Sequence, residues 1–492
     1  MNPNDVLITF PEVLVWFPLL SGLIAFMLKS DNAVKKWVLT SSFITVAIVA
    51  ASFFFTDKKY DNFNNVSYFW LTSLGSNFGL MYDGMGRMLC LLTALAFPLV
   101  FLSTYGNNYK KANAFYGLML LTQSGLMGVF CAMDALVFYF FWELALIPVY
   151  FLSSQWGGER RIQATFKFFV YTFAGSLLML VGIIYVYLHT PENTFALKSF
   201  LQAQFSPGEE KFVFWLFFIA FAIKMPVFPL HTWQPDAYEQ SPTAVTMILS
   251  GVMVKMGVFA LIRWLIPVFP NASQTFSNAI IIIAVIGMLY ASCIAWMQDD
   301  IKRLVAYSSI AHIGLMCAAV FTRTESGLDG VMVQMFNHGI NIIGLWIVVE
   351  LIEKKWGTRK ISELGGLANA APTLTIFLVV TALANIALPL TNAFVGEFLM
   401  FNGLFAHGKG ITALALISII LAAVYTLTMI QKVFYGQLKP GVSGDAFVLG
   451  KGAVMALAAI VIIIFVLGVY PKPLLDLTKD TVNYFLNRVK VM

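Results

Sequence analysis

Along the chain, apolar runs long enough to cross a bilayer alternate with short stretches rich in charge, Pro or Gly. Read this way, spans are expected near 5–28, 34–55, 80–104, 113–131, 134–153, 163–188 and 211–229. The rest fall near 241–266, 276–297, 301–321, 327–352, 372–405, 411–433 and 451–470. The pattern predicts an all-α polytopic membrane protein of about 14 transmembrane helices. Two spans contain helix breakers: Pro226 and Pro229 follow Lys224, and Pro389 lies in LPLTNAF. FPLHTW (228–233) and LPLTNAF (388–394) echo one another, each a Pro-Leu break after a long apolar run. Broken helices at corresponding positions point to a transporter built from inverted repeats. Five spans per repeat, 4 to 8 and 9 to 13, put both breaks fourth in their repeat.

The connections after spans 1, 3, 5, 9, 11 and 13 carry Lys35 and Lys36, Lys110 and Lys111, Arg160 and Arg161, Lys302 and Arg303, Lys354 to Lys360, and Lys439. The positive-inside rule makes these connections cytoplasmic and puts both termini on the outer side. The connection after span 7 has no Lys or Arg and is neutral on this point. The amino-terminal stretch MNPNDVLITF lacks the basic region of a cleavable signal and is expected to stay. Residues 474–492 set Leu475, Leu477, Val482, Phe485, Leu486 and Val489 against Lys479, Asn483, Arg488 and Lys490. This pattern predicts a short amphipathic helix on the membrane surface or a partner, or else a solubilising tail.

Composition agrees. The chain is 59% hydrophobic and 11% charged, with mean hydropathy +0.80, where a soluble domain has about a quarter of its residues charged. No soluble domain fits between the spans. The net charge of +6 resides in loops and is not paired with exposed aromatics, which excludes a nucleic-acid surface. Cys90, Cys131, Cys293 and Cys317 fall singly, without metal-site spacing, and read as small core residues. His312 and His338 are the histidines deep in separate spans. A bis-histidine haem between them is disfavoured, because their helix neighbours are polar rather than small.

Charges inside the apolar runs carry the chemistry. A lysine at mid-membrane costs roughly 2.5 to 3.5 kcal/mol even on the lenient insertion scale, so Lys224 and Lys255, flanking a broken helix, point to an ion or proton path. Glu143, midway along DALVFYFFWELALIPVYFL, must be protonated or face a cation. Lys224 is the natural partner by depth, and Lys167 and Arg87 are rivals nearer their span ends. At about 4 Å and an effective dielectric near 20, such a pair interacts by roughly 4 kcal/mol. A small change in separation therefore decides whether Lys224 keeps its proton. The bland alternative is a structural salt bridge.

Lys255 has Thr246 and Ser250 upstream and no acidic residue close in sequence; the alternative is snorkelling to an interface. On span 10, Ser308 and Ser309 lie one turn from His312. On span 11, Gln334, His338 and Asn341 share a helix face. Such stripes suit a file of water with imidazoles that titrate in the range a relay needs, or else satisfied core histidines. Glu397, past the Pro389 break, is a candidate exit group, whereas Glu350, Asp134 and Asp300 read as boundary residues.

Taken in order, FWELALIP, KMPVFPLHTWQPDAYEQSPTA, ILSGVMVKMGVFALIRW, QDDIKRLVAYSSIAHIG, MFNHGI and NAFVGEF closely resemble the antiporter-like membrane subunits of proton-pumping NADH-quinone oxidoreductase, respiratory complex I. The nearest likeness is to the subunit M family, the bacterial counterpart of mitochondrial subunit 4. The resemblance implies two inverted five-helix repeats, residues 113–270 and 271–440, between amino-terminal helices 1–112 and a carboxy-terminal part 441–492. It implies a proton half-channel in each repeat, with Glu143 and Lys224 as the switchable ion pair, Lys255 as the central lysine and Glu397 as the terminal group. His231, His312 and His338 match the connecting histidines. The carboxylate at 397 favours subunit M over siblings that carry lysine there.

The resemblance further implies a bacterial plasma membrane and partners among the other membrane subunits of complex I, above all the sibling antiporter-like subunits. No flavin, cluster or nucleotide motif is present, so flavin, iron-sulfur clusters and quinone are expected in partner subunits and no cofactor in this chain. One departure stands out. HTWQPDAYEQSPTA replaces the more usual HTWLPDAHTEAPTA, so a second loop histidine is Tyr238 here. The alternatives are a cation/proton antiporter subunit of the multi-subunit sodium/proton type and a membrane hydrogenase subunit. A lone solute carrier lacks visible substrate determinants.

Overall fold

The computed structural model describes residues 8–55, 61–439 and 446–490. The first residues of the expected first span, 5–7, lie outside the described residues, as do the side chains of Val489 and Lys490 in the expected amphipathic helix. Two helices, α1 (Phe10–Met27) and α2 (Asp31–Ser52), are followed by an element the helical expectation lacked. It is an antiparallel hairpin of β1 (Asn65–Leu71) and β2 (Ser76–Met81), pairing Val66 with Leu80 and Tyr68 with Phe78. Its β-branched and aromatic residues favour strand. Gly75, at φ +68°, takes the left-handed position of the turn.

The bundle continues with α3 (Gly84–Ser103), α4 (Ala112–Cys131), α5 (Ala135–Trp156) and α6 (Arg161–Leu188). Next come α7 (Pro207–Lys224), the short α8 (Trp233–Gln240) and α9 (Thr243–Leu265). After them run α10 (Pro270–Trp296), α11 (Ile301–Thr322), α12 (Glu325–Trp356), α13 (Pro372–Asn385) and α14 (Asn392–His407). The chain closes with α15 (Lys409–Phe434), α16 (Lys451–Val469) and α17 (Lys472–Lys490). Among the described residues, 12 helices are long and apolar enough to cross a membrane. The two other expected spans, 211–229 and 372–405, are interrupted: α7 lies in the first, and α13 and α14 divide the second.

Both interruptions follow from the sequence. Proline lacks the N–H that would continue the ladder, so α7 stops at Lys224 ahead of Pro226, and α13 stops at Asn385 ahead of Pro389. Ala387 and Leu390 take φ of +57° and +73°, a left-handed conformation that side chains disfavour, and they flank Leu388 and Pro389. Trp233 caps the first break by donating its indole N–H to the Ile223 carbonyl at 3.0 Å.

Burial runs from rim to centre. The apolar window of α9 is entirely buried and those of α11 and α12 nearly so, whereas in α6, α15 and α16 less than half is buried. A helix apolar all round belongs in the centre of a membrane bundle. Cys90, Cys131 and Cys317 are buried as expected, but Cys293 is exposed. It lies on the outward side of α10 with the exposed Ile282, Ile286, Tyr290 and Trp296.

Candidate functional site

The central lysine is placed by an irregular helix. Within α9, Leu249–Met253 and Leu261–Leu265 are π-helical and bracket Lys255. Val254 N–H reaches back to the Leu249 carbonyl at 3.2 Å rather than to Ser250. The Lys255 ammonium takes the Ser250 carbonyl at 2.7 Å. Widened turns of this kind expose carbonyls that a regular α-helix would use, and they recur at functional sites.

Close backbone contact then brings in the second partner. A Cβ on Gly339 of α12 would stand 2.7 Å from the Gly251 carbonyl oxygen of α9, so only glycine permits this approach. Across it, Lys255 Nζ lies 2.8 Å from His338 Nδ1. The rings of His338 and His312 of α11 stand 5.4 Å apart, and His312 Nδ1 lies 2.9 Å from Glu397 Oε1 of α14. Gln334 Nε2 donates to the same oxygen at 3.2 Å, where α14 approaches over Gly396. Lys255, His338, His312 and Glu397 thus form one file through the bundle centre, every member under 10% exposed. Beside its Glu397 end a cavity of about 20 Å³, lined in part by His312, Glu397, Ser418 and Tyr425, has room for one water.

Glu143 and Lys224 form a separate station. Lys224 Nζ lies over the Trp142 ring, 5.3 Å from its centroid, a cation–π arrangement. Among the described residues neither Lys224 Nζ nor Glu143 Oε1 has a hydrogen-bond partner, and the two side chains make no ion pair. The structure holds this pair apart. The rivals are engaged elsewhere: Lys167 pairs with Asp236 at 2.8 Å, and Arg87 donates to the carbonyls of Ser52 and Tyr82. His231, in the first break, packs against Phe228 and Tyr290, and no hydrogen bond joins it to Lys224 or Lys255.

A family profile described as NADH:quinone oxidoreductase/Mrp antiporter, TM, matches residues 132–423. The "NADH-quinone oxidoreductase subunit M" of Rickettsia prowazekii (strain Madrid E) is 33% identical, covering 96% of this chain and 98% of its own. The chain belongs to the NADH-quinone oxidoreductase subunit M family. A chain in the structure "Respiratory complex I from Thermus thermophilus with bound NADH" superposes with a TM-score of 0.89 at 28% identity, covering 97% of this chain and 99% of that one. A chain of the Mrp complex from Dietzia sp. DQ12-45-1b reaches 0.86 at 19% identity, covering 97% and 98%, a likeness of fold alone.

In this subunit M relative, the second polar centre was not legible in the sequence. Glu239, in the connection after the first break, accepts from Arg160 at 3.1 Å, Arg303 at 2.8 Å and Arg359 at 2.9 Å. Asp236 accepts from Lys167 and Arg303, and Arg359 also meets Asp300 and Glu353. Burial raises the affinity of Glu239 for a proton, but the Arg303 hydrogen bond and the charges of Arg359, Arg303 and Arg160 outweigh it and hold the carboxyl below its ordinary range. The basic residues had been visible as markers of one membrane side; their convergence on two carboxylates of α8 depends on contacts between distant loops. The boundary residues act as such. Asp134 and Asp300 cap α5 and α11, and Glu350 pairs with Lys354 at 2.8 Å.

Proposed function

We propose that this chain is the proton-translocating membrane subunit of an NADH-quinone oxidoreductase, driven by electron transfer in other subunits of the complex. The observation that carries the reading is the file of Lys255, His338, His312 and Glu397, in which polar contacts at each end flank two neighbouring imidazole rings in the centre of the bundle. An ammonium, two imidazoles and a carboxylate can each gain and lose a proton, and charges this deep are retained where ions move. Protons enter from the cytoplasm to Lys224 or Lys255, pass beside His338 and His312 and leave through Glu397. The separation between Glu143 and Lys224 sets whether Lys224 holds its proton. His231 belongs to the same reading as a group beside the first break.

In this reading residues 113–270 and 271–440 are inverted repeats, and the termini lie on the outer side of a bacterial plasma membrane. The chain holds no redox centre; flavin, iron-sulfur clusters and quinone reside in partner subunits, with sibling antiporter-like subunits beside it. Support comes from family membership and from the buried charges.

The test is to tag the chain and purify it from native membranes in mild detergent. Co-purifying flavin, iron-sulfur absorbance and NADH-quinone reductase activity are expected. Sodium/proton exchange by a complex lacking all three would overturn the reading.

A further inference from the structure

The short helix α8 lies between the first break and the surface cluster of Asp236 and Glu239. Its two faces differ. Asp236 and Glu239 turn to the ion pairs, while Gln234 and Tyr238, one helical turn apart, turn inward and are both 0% exposed. The Tyr238 hydroxyl faces the Gln234 amide, yet neither it nor either amide atom makes a well-formed hydrogen bond to a described protein group. The Tyr238 ring packs edge-on against Trp346 of α12 at 6.0 Å, and the Trp346 indole N–H is likewise unpartnered. Leaving four buried polar atoms unpaired is costly, and buried water with two to four such partners is the usual remedy.

Both positions are among the five, 234 and 238–241, at which the loop departs from the pattern it resembles, Gln for Leu and Tyr for His. A titrating ring has been exchanged for a hydroxyl, and an apolar neighbour one turn away for an amide. We infer that Gln234 and Tyr238 hold a buried water and form with it a proton relay that changes no charge, on the cytoplasmic approach to Lys224. The hydroxyl accepts a proton on its lone pair as it releases its own, so one O–H bond forms while another breaks and Tyr238 ends unchanged. The amide has a donor and an acceptor to orient the water throughout. A histidine at 238 would store the proton and respond to pH; this pair does neither.

The inference rests on the proposed function, and the experiment separates the two. The intact complex in proteoliposomes is assayed for NADH-quinone turnover and proton uptake with Tyr238→Phe, Gln234→Leu, the double variant, Lys224→Ala and Lys255→Ala. Tyr238→Phe and Gln234→Leu should each lower coupled turnover about five- to tenfold, the loss of one hydrogen bond in the transfer step. The double variant should be no slower than the slower single, because both act through one water. Tyr238→His should restore transfer and add a pH dependence centred near 6.5, the imidazole range. A density map of the complex should show a water between the two side chains. Full pumping by Tyr238→Phe and Gln234→Leu, or no density there, overturns the relay. Full pumping by Lys224→Ala and by Lys255→Ala alike overturns the proposed function instead.

Discussion

Lys255 Nζ and His338 Nδ1 stand 2.8 Å apart with both side chains buried, so a hydrogen bond joins α9 to α12 across the centre of the bundle. An ammonium only donates. With Lys255 charged, His338 Nδ1 accepts and the ring carries its proton on Nε2. Loss of a proton from Lys255 leaves an amine that can donate or accept, so the His338 tautomer is fixed only while Lys255 is charged.

The first prediction follows from that bond. Lys255→Ala and His338→Ala should each slow coupled turnover at least tenfold, and the double variant should fall well short of the product. The coupling expected of a charge-assisted hydrogen bond is about 2 kcal/mol. Turnover and proton uptake of the reconstituted complex give the cycle; additive losses would mean the contact is not used.

At Lys224 the proposed role is release of a proton. Lys224→Arg keeps the positive charge near Trp142 but not a group able to deprotonate, so it should assemble normally and lose pumping and electron transfer together. Glu143→Ala should depress both as well. Retention of pumping in both variants would remove the pair from the pathway.

Helix approach is tested by size alone. Gly339→Ala places a methyl 2.7 Å from the Gly251 carbonyl oxygen and against Leu92. Overpacking of this kind costs about 1 to 3 kcal/mol, and here it should also lengthen the Lys255 to His338 bond. A several-fold loss of turnover with normal assembly is expected; wild-type kinetics would show that the close approach is dispensable.

The surface cluster carries a pH signature. Because Glu239 is held below its ordinary range by Arg303, Arg359 and Arg160, its contribution is fully present above the ordinary carboxylate value of about 4.5 and is lost as pH falls through the lowered one. Thermal stability of the purified complex should therefore drop on acidification below that range. Glu239→Gln should cost about 2 kcal/mol at neutral pH, between the values for exposed and buried pairs, since Arg160 is largely exposed. The variant should show a shallower acid decline.

Much of the architecture was written locally. Apolar run lengths marked the spans, prolines marked both interruptions, and Glu143, Lys224, Lys255, His312, His338 and Glu397 were visible because an ionisable side chain inside an apolar run is costly to keep there. The hairpin at 65–81 was missed, since a strand pair of this length sits among neighbouring apolar runs without a distinct period. Which groups touch was decided by the tertiary structure alone. Sequence distance says nothing of whether Lys255 meets His338, whether Glu143 closes on Lys224, or whether three arginines from separate loops gather on Glu239. Those contacts depend on helix spacing, set by glycines such as Gly339, and on π-turns that rotate a side chain by a fraction of a turn. A periodic reading averages over both.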